Sequence, residues 1–180
     1  MKKLLLITLV LSLILITSGC LLFQSVAYEI KPDKKGGGSA VVTIKDLRSD
    51  AIDSGELDMD KENLFEYMYQ SDEFINQMKD EGKSITSREL IVEGSKLSGK
   101  IKFSFGDIEL VEGIIYQDPY YFLTIPAEDS IISTNGEVIV SEEHKRIMWD
   151  NSIEVLKFTM FSDDVESGNL IGMAQFHNPE

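Results

Sequence analysis

Few side chains in this 180-residue sequence are equipped for chemistry, and they are scattered. Cys20 is the only cysteine, so it is the only thiol able to act as a nucleophile, a metal ligand or an attachment point. The two histidines are His144, inside the charged run Glu142–Arg146, and His177, close to the last residue. Neither stands in a spacing such as His-Glu-x-x-His, and both read as surface residues. No serine occupies a Gly-x-Ser-x-Gly elbow. Asp50, Asp53, Glu56, Asp58, Asp60 and Glu62 gather carboxylates of the type calcium prefers. Asp58-x-Asp60-x-Glu62 starts like a calcium loop, but the sixth position is Asn63 rather than Gly and the twelfth is Tyr69 rather than Glu. A solvated acidic loop feeding a helix is the expectation. Nothing selects a carboxylate pair for glycoside cleavage. Gly36-Gly37-Gly38 lacks the spacing of a phosphate loop and reads as a turn. The sequence therefore predicts no catalytic residue, no metal site and no cofactor, and a protein that is not an enzyme.

What precedes Cys20 is more specific. Lys2 and Lys3 are followed by Leu4 to Ile16, thirteen residues that are all Leu, Ile, Val, Thr or Ser, and then by Thr17, Ser18 and Gly19. A positive start, a short apolar stretch and a small-residue cleavage site define a secretory leader. The stretch is shorter than the roughly 20 residues a spanning helix needs. Thr17-Ser18-Gly19-Cys20 resembles the bacterial and archaeal lipobox of lipoprotein precursors, with Thr17 where Leu is commonest. That resemblance implies a diacylglyceryl thioether on Cys20, acyl chains such as palmitate, and a mature chain beginning there. An uncleaved anchor, or a leader cut elsewhere, remains open; either leaves the chain exported. The expected organisation is a signal peptide at 1–19, the lipidated cysteine and a short tether at 20–25, and a single α+β extracytoplasmic domain at 26–180. It would be held at the cell membrane or outer membrane by its lipid.

Charge supports attachment by lipid. The chain carries 17 basic and 31 acidic side chains, and losing Lys2 and Lys3 would take the net charge from −14 to −16. Such a surface repels anionic headgroups and nucleic acid phosphates, so nucleic acid is excluded as a partner. With Cys20 lipidated the chain has no disulfide. Its 43% hydrophobic content must supply the core instead.

Periodicity then places the elements. Val26, Tyr28 and Ile30 alternate, as do Val42 and Ile44, across Lys31–Ser39, predicting a β-hairpin with a basic tip; a flexible glycine-rich linker is the competing reading. Arg48–Asp60 reads as a loop. Leu64, Tyr67, Met68, Phe74, Ile75 and Met78 recur at helical spacing. They predict one main helix at about residues 60–81, capped by Asp60 and stopped by Gly82, with a break at Ser71 as the alternative. From Lys83 the pattern is β: strands over 84–92, 97–105, 108–114, 120–125, 146–149 and 155–161, then 170–176 as a last strand or a loose tail. Asn135-Gly136 predicts a tight hairpin. The fold class is α+β, a curved, mostly antiparallel sheet packed around the helix.

A curved sheet closed over a helix can leave an apolar cavity. Tyr67, Phe74, Phe103, Phe105 and Trp149 are the candidate lining residues, with Met68 and Met78 as adaptable neighbours. The competing reading is that they are simply core. Pro126, Ser130, Ser133-Thr134-Asn135-Gly136 and Trp149 ahead of a strand resemble the LppM-type lipoprotein domain. That resemblance implies a helix-grip-like cavity and lipid binding. The expected function is a membrane-anchored envelope lipoprotein binding a lipid or other apolar ligand. The alternative is a structural or interaction lipoprotein whose partner is another envelope protein.

Overall fold

A computed structural model describes residues 20–161 and 170–178. The expected leader at 1–19 lies outside the described residues. In chain order the strands are β1 (Leu21–Leu22), β2 (Ser25–Pro32), β3 (Gly38–Lys45) and β4 (Arg48–Ser49). Helix α1 (Ser54–Lys61) runs directly into a π-helical segment (Glu62–Gln70), and α2 (Asp72–Asp80) follows. Then come β5 (Lys83–Glu93), β6 (Lys96–Phe105), a 3-10 turn (Ile108–Leu110), β7 (Ile115–Gln117), β8 (Tyr120–Pro126), β9 (Ser130–Thr134) and β10 (Glu137–Val140). β11 (His144–Asp150), β12 (Leu156–Phe161), β13 (Ile171–Gly172) and a 3-10 turn (Met173–Phe176) complete the described chain.

The class is α+β with antiparallel pairing, but the strands form three sheets rather than one curved sheet. Six strands lie in the order β5-β6-β3-β2-β12-β9, four in the order β10-β11-β8-β7, and three short ones in the order β1-β4-β13. The split occurs at Asn135-Gly136. This pair is not a hairpin turn: β9 pairs with β12 and β10 with β11, so it carries the chain from one sheet to another. Tertiary bonding overrides the local turn preference. The Asn135 Oδ1 accepts from the Trp149 Nε1–H at 2.9 Å and from the Lys157 N–H at 2.8 Å, and its Nδ2 donates to the Val155 carbonyl at 2.8 Å. A Cβ on Gly136 would lie 2.7 Å from the Met148 carbonyl oxygen and the Trp149 Nε1, so only glycine fits.

Two apolar clusters result. Between the six- and four-stranded sheets, Ile30, Ile114, Leu123, Ile147, Trp149 and Leu156 are fully buried. Tyr28 stacks on Phe158 there with centroids 4.6 Å apart. The second cluster joins the six-stranded sheet to the helices and the small sheet through Leu47, Leu64, Leu97 and Met173. The residues expected to form a tether take part: Leu21–Leu22 pairs with β4, and Ser25 already opens β2.

The helical layer also differs from expectation. Asp53, not Asp60, is the cap, its Oδ1 accepting from Gly55 N at 2.8 Å and Glu56 N at 3.0 Å. The Glu56 carboxylate reaches back to the Ile52 N–H, so a variant of the capping box starts the helix inside the expected loop. Asp60 is buried in α1 and accepts from the Ser49 hydroxyl. Ser71 then breaks the run, and its hydroxyl caps α2 by accepting from Glu73 N. Ile108, Val111 and Ile114 are buried at a spacing of three, which fits 3-10 geometry better than the strand expected there. The expected last strand is only Ile171–Gly172, secured by the buried Met173.

Candidate apolar binding cleft

Leu21 and Phe23 project from the first described residues toward the helical layer. The π-helical segment lies across the same face of the six-stranded sheet, presenting Leu64 and Met68. Between them and β3, β5 and β6 is an apolar cleft of about 200 Å³. Ile44, Leu47, Leu90 and Ile101 complete its apolar wall. Its floor is open because Gly99 supplies no side chain. A Cβ built there would sit 3.7 Å from the Leu47 Cδ1 and 4.0 Å from the Leu90 Cδ2, which is ordinary contact. An isolated glycine within a strand marks such a place.

The π-helix gives the cleft its roof. π-helical turns are rare and recur at functional sites. Arg88 on β5 holds this one down: its Nη1 donates to the Met68 and Ser71 carbonyls, both at 2.9 Å. These main-chain acceptors lie at the end of the helical run, where carbonyls lack intrahelical partners. Arg88, Glu89, Lys100 and Tyr69 are the polar residues at the rim. Glu89 faces Lys102 at 3.6 Å. From the far side, His177 stacks on Phe65 at 6.0 Å between centroids and meets the edge of Tyr69 at 6.3 Å. It is thus part of the helix packing rather than a free surface residue.

None of the five aromatic residues expected to line a cavity lines this one. Phe103, Phe105 and Trp149 are buried in the cluster between the sheets. Tyr67 and Phe74 meet edge to face at 5.8 Å within the helical layer, and the Tyr67 hydroxyl donates to the Gln77 side chain. Met68 does line the cleft. Leu21, Phe23 and Gly99 escaped the sequence reading, although an apolar Leu21-Leu22-Phe23 is a poor tether and Gly99 interrupts an alternating strand.

The acidic residues take structural roles. Asp53 and Glu56 cap α1, Asp58 pairs with Lys61, and the Cys20 N–H donates to Asp50. Burial pushes the Asp60 carboxyl up, opposed by the Ser49 hydrogen bond and reinforced by Asp50 and Glu56. Among the described residues no group of three His, Cys, Asp or Glu side chains is placed to hold a metal ion. Asp46 is buried at φ 58° and bridges Arg48 at 2.6 Å and Lys96 at 3.0 Å. The Arg48 hydrogen bonds hold its carboxyl below the usual range.

Cys20 is exposed, and the next residue along the chain is a wall of the cleft. No helix among the described residues is long and apolar enough to cross a membrane. Comparisons with family models, curated proteins and solved structures return no match.

Proposed function

We propose that this chain is a lipoprotein of the cell envelope, anchored at the cell membrane or outer membrane through acyl chains on Cys20, and that its extracytoplasmic domain holds an alkyl chain in the cleft behind the π-helix. One observation carries the reading: the candidate lipidation site and the cleft wall are consecutive residues, Cys20 and Leu21. The lipobox resemblance and the acidic surface support anchoring by lipid rather than by a basic patch. The LppM-type resemblance gains nothing from the family comparison, so the ligand assignment rests on the cleft.

Its size restricts the ligand. At roughly 30 Å³ for each water-sized group, about 200 Å³ admits about seven methylenes. Withdrawing these from water contributes roughly 5–6 kcal/mol, a ceiling near 0.1 mM in affinity. The fitting ligand is part of one acyl chain, not a bulky molecule. The rim offers no convergent set of reacting groups, since Arg88 is committed to the helix carbonyls, and the proposed role is binding without catalysis.

Two experiments test this. Metabolic labelling with a radioactive fatty acid should mark the wild type and not Cys20→Ala; persistent label in the variant overturns the anchor. Full-length protein in nanodiscs, exposed to a photoreactive fatty acid, should be labelled on Leu64, Met68 or Leu90. Labelling spread over the surface, with none at these residues, overturns the cleft assignment.

A further inference from the structure

Away from the cleft, two sheet edges meet at one corner. β9 ends the six-stranded sheet and β10 ends the four-stranded one. Asn135-Gly136 links them, so the edges diverge from a point fixed by the Asn135–Trp149 bond. The open groove between them measures about 420 Å³ and includes Ile131, Ile132, Val138 and Val140. These are exposed side chains on strands that end their sheets among the described residues: Ile132 is 55%, Val138 40%, Ile139 46% and Val140 65% accessible. Val138 and Val140 share one face of β10, opposite Ile147 and Lys145, while Ile139 shares the other with Glu137, opposite Arg146 and Met148.

Protein edges are usually blunted by a charge, a proline or a bulge. β10 is short and carries Glu137 at its first position, but Val138-Ile139-Val140 has no charge, proline or bulge. Acidic residues flank the two strands in the chain: Glu137 opens β10, Glu142 and Glu143 follow it, and Glu128 and Asp129 precede β9. Lys145 is the charged side chain that lines the groove, and its Nζ is engaged by the Asp129 carbonyl at 2.6 Å. The outward N–H and C=O groups of β10 call for another strand, since an acyl chain offers them no hydrogen bond. A second copy of this chain fits poorly. Antiparallel self-pairing of β10 would bring Glu137 of each copy toward Glu142 and Glu143 of the other, on molecules already at −14.

We propose that β10 is a strand-addition site for an extended segment of another envelope protein, one with alternating apolar residues and lysines or arginines at both ends. Main-chain pairing supplies the binding geometry, the groove takes one face of side chains, and the acidic ends select basic flanks.

The test uses full-length protein in nanodiscs and a fluorescent peptide of about six alternating valines and threonines, with paired lysines at each end. The expected result is saturable binding that weakens with added salt, drops roughly tenfold or more when the flanks are glutamates, and disappears when alternate peptide nitrogens are methylated. Val140→Gln, at an exposed position and uncharged opposite Lys145, should leave the melting temperature nearly unchanged and weaken binding by a similar factor. Glu142→Lys combined with Glu143→Lys should shift preference toward glutamate flanks. Equal binding of the methylated or glutamate-flanked peptide overturns the proposal, as does no binding of the lysine peptide. A dimer seen by sedimentation and abolished by Val140→Gln also overturns it, by naming a second copy as the occupant.

Discussion

Gly99→Val should narrow the cleft while leaving the fold intact. The Cβ enters at ordinary contact distance from Leu47 and Leu90, and the two methyls extend into the space left by the missing side chain. Three carbons at roughly 30 Å³ each take nearly half of the 200 Å³. An alkyl ligand then loses about three methylenes of contact, or roughly 2.4 kcal/mol at 0.8 kcal/mol each. That is about a fiftyfold loss of affinity. Stability should move the other way. Valine suits a strand better than glycine and buries new apolar area, together about 1–2 kcal/mol, or a few degrees in melting temperature for a domain of this size. Gly99→Ala adds one carbon and should weaken binding only about fourfold. Saturation of labelling by a photoreactive fatty acid offered from water, with no bilayer present, read beside thermal melts, measures both quantities. A raised melting temperature with undiminished labelling in Gly99→Val would refute the reasoning, because the cleft would have lost nearly half its volume and the ligand would bind as before.

Other perturbations separate the supports of the fold. Asn135→Ala leaves the buried Trp149 N–H and the Lys157 N–H without their shared acceptor, costing about 1–3 kcal/mol and altering near-ultraviolet circular dichroism; Asn135→Asp keeps that acceptor but sets an oxygen against the Val155 carbonyl in place of the Nδ2 donor, so it should not restore wild-type stability at pH 7. Asp46 is depressed chiefly by its Arg48 hydrogen bonds, so its contribution is present above the unfolded carboxylate pKa of about 3.9 and fades as pH falls through the lower folded value. Asp46→Asn should therefore flatten the acid side of the stability–pH curve in thermal melts. Asp60 is raised, first by burial, so the native state binds more protons than the unfolded chain just above pH 4 and stability declines as pH rises through that window. Asp60→Asn, which can still accept from Ser49, should gain relative stability at pH 7 compared with pH 4.

Strands were legible where one face is buried against polar neighbours, as with Val26, Tyr28 and Ile30. The helix break was legible too, because Ser71 followed by acidic residues is a local capping pattern. The start at Asp53 was equally local, but the low apolar content of Arg48–Asp60 outweighed it. What could not be read depends on distant partners. Asn135-Gly136 has the composition of a hairpin turn, and only Trp149 and Lys157 turn it into a crossing between sheets. The aromatic residues predicted to line a cavity are large enough to fill one, and Phe103, Phe105 and Trp149 do so. The opening lies where side chains are missing or small, at Gly99, and an empty place has no periodicity.

The same reasoning bears on what a small cleft can do beside a membrane. From water, a ceiling of roughly 5–6 kcal/mol is weak, and the loss of ligand freedom reduces it further. From a bilayer, the hydrophobic gain vanishes, because the alkyl chain leaves one apolar medium for another. Under the proposed anchoring, however, Leu21 lies one residue from the lipid attachment, so the cleft is confined near acyl chains and meets them at high effective concentration. Occupancy would then be set by packing against Leu64, Met68 and Leu90 rather than by escape from water. An anchored protein with such a cleft exchanges its ligand readily, whereas the same domain released into solution holds it poorly. Cys20→Ala should therefore reduce alkyl occupancy without changing a single cleft residue. That outcome separates a membrane-coupled site from a soluble carrier.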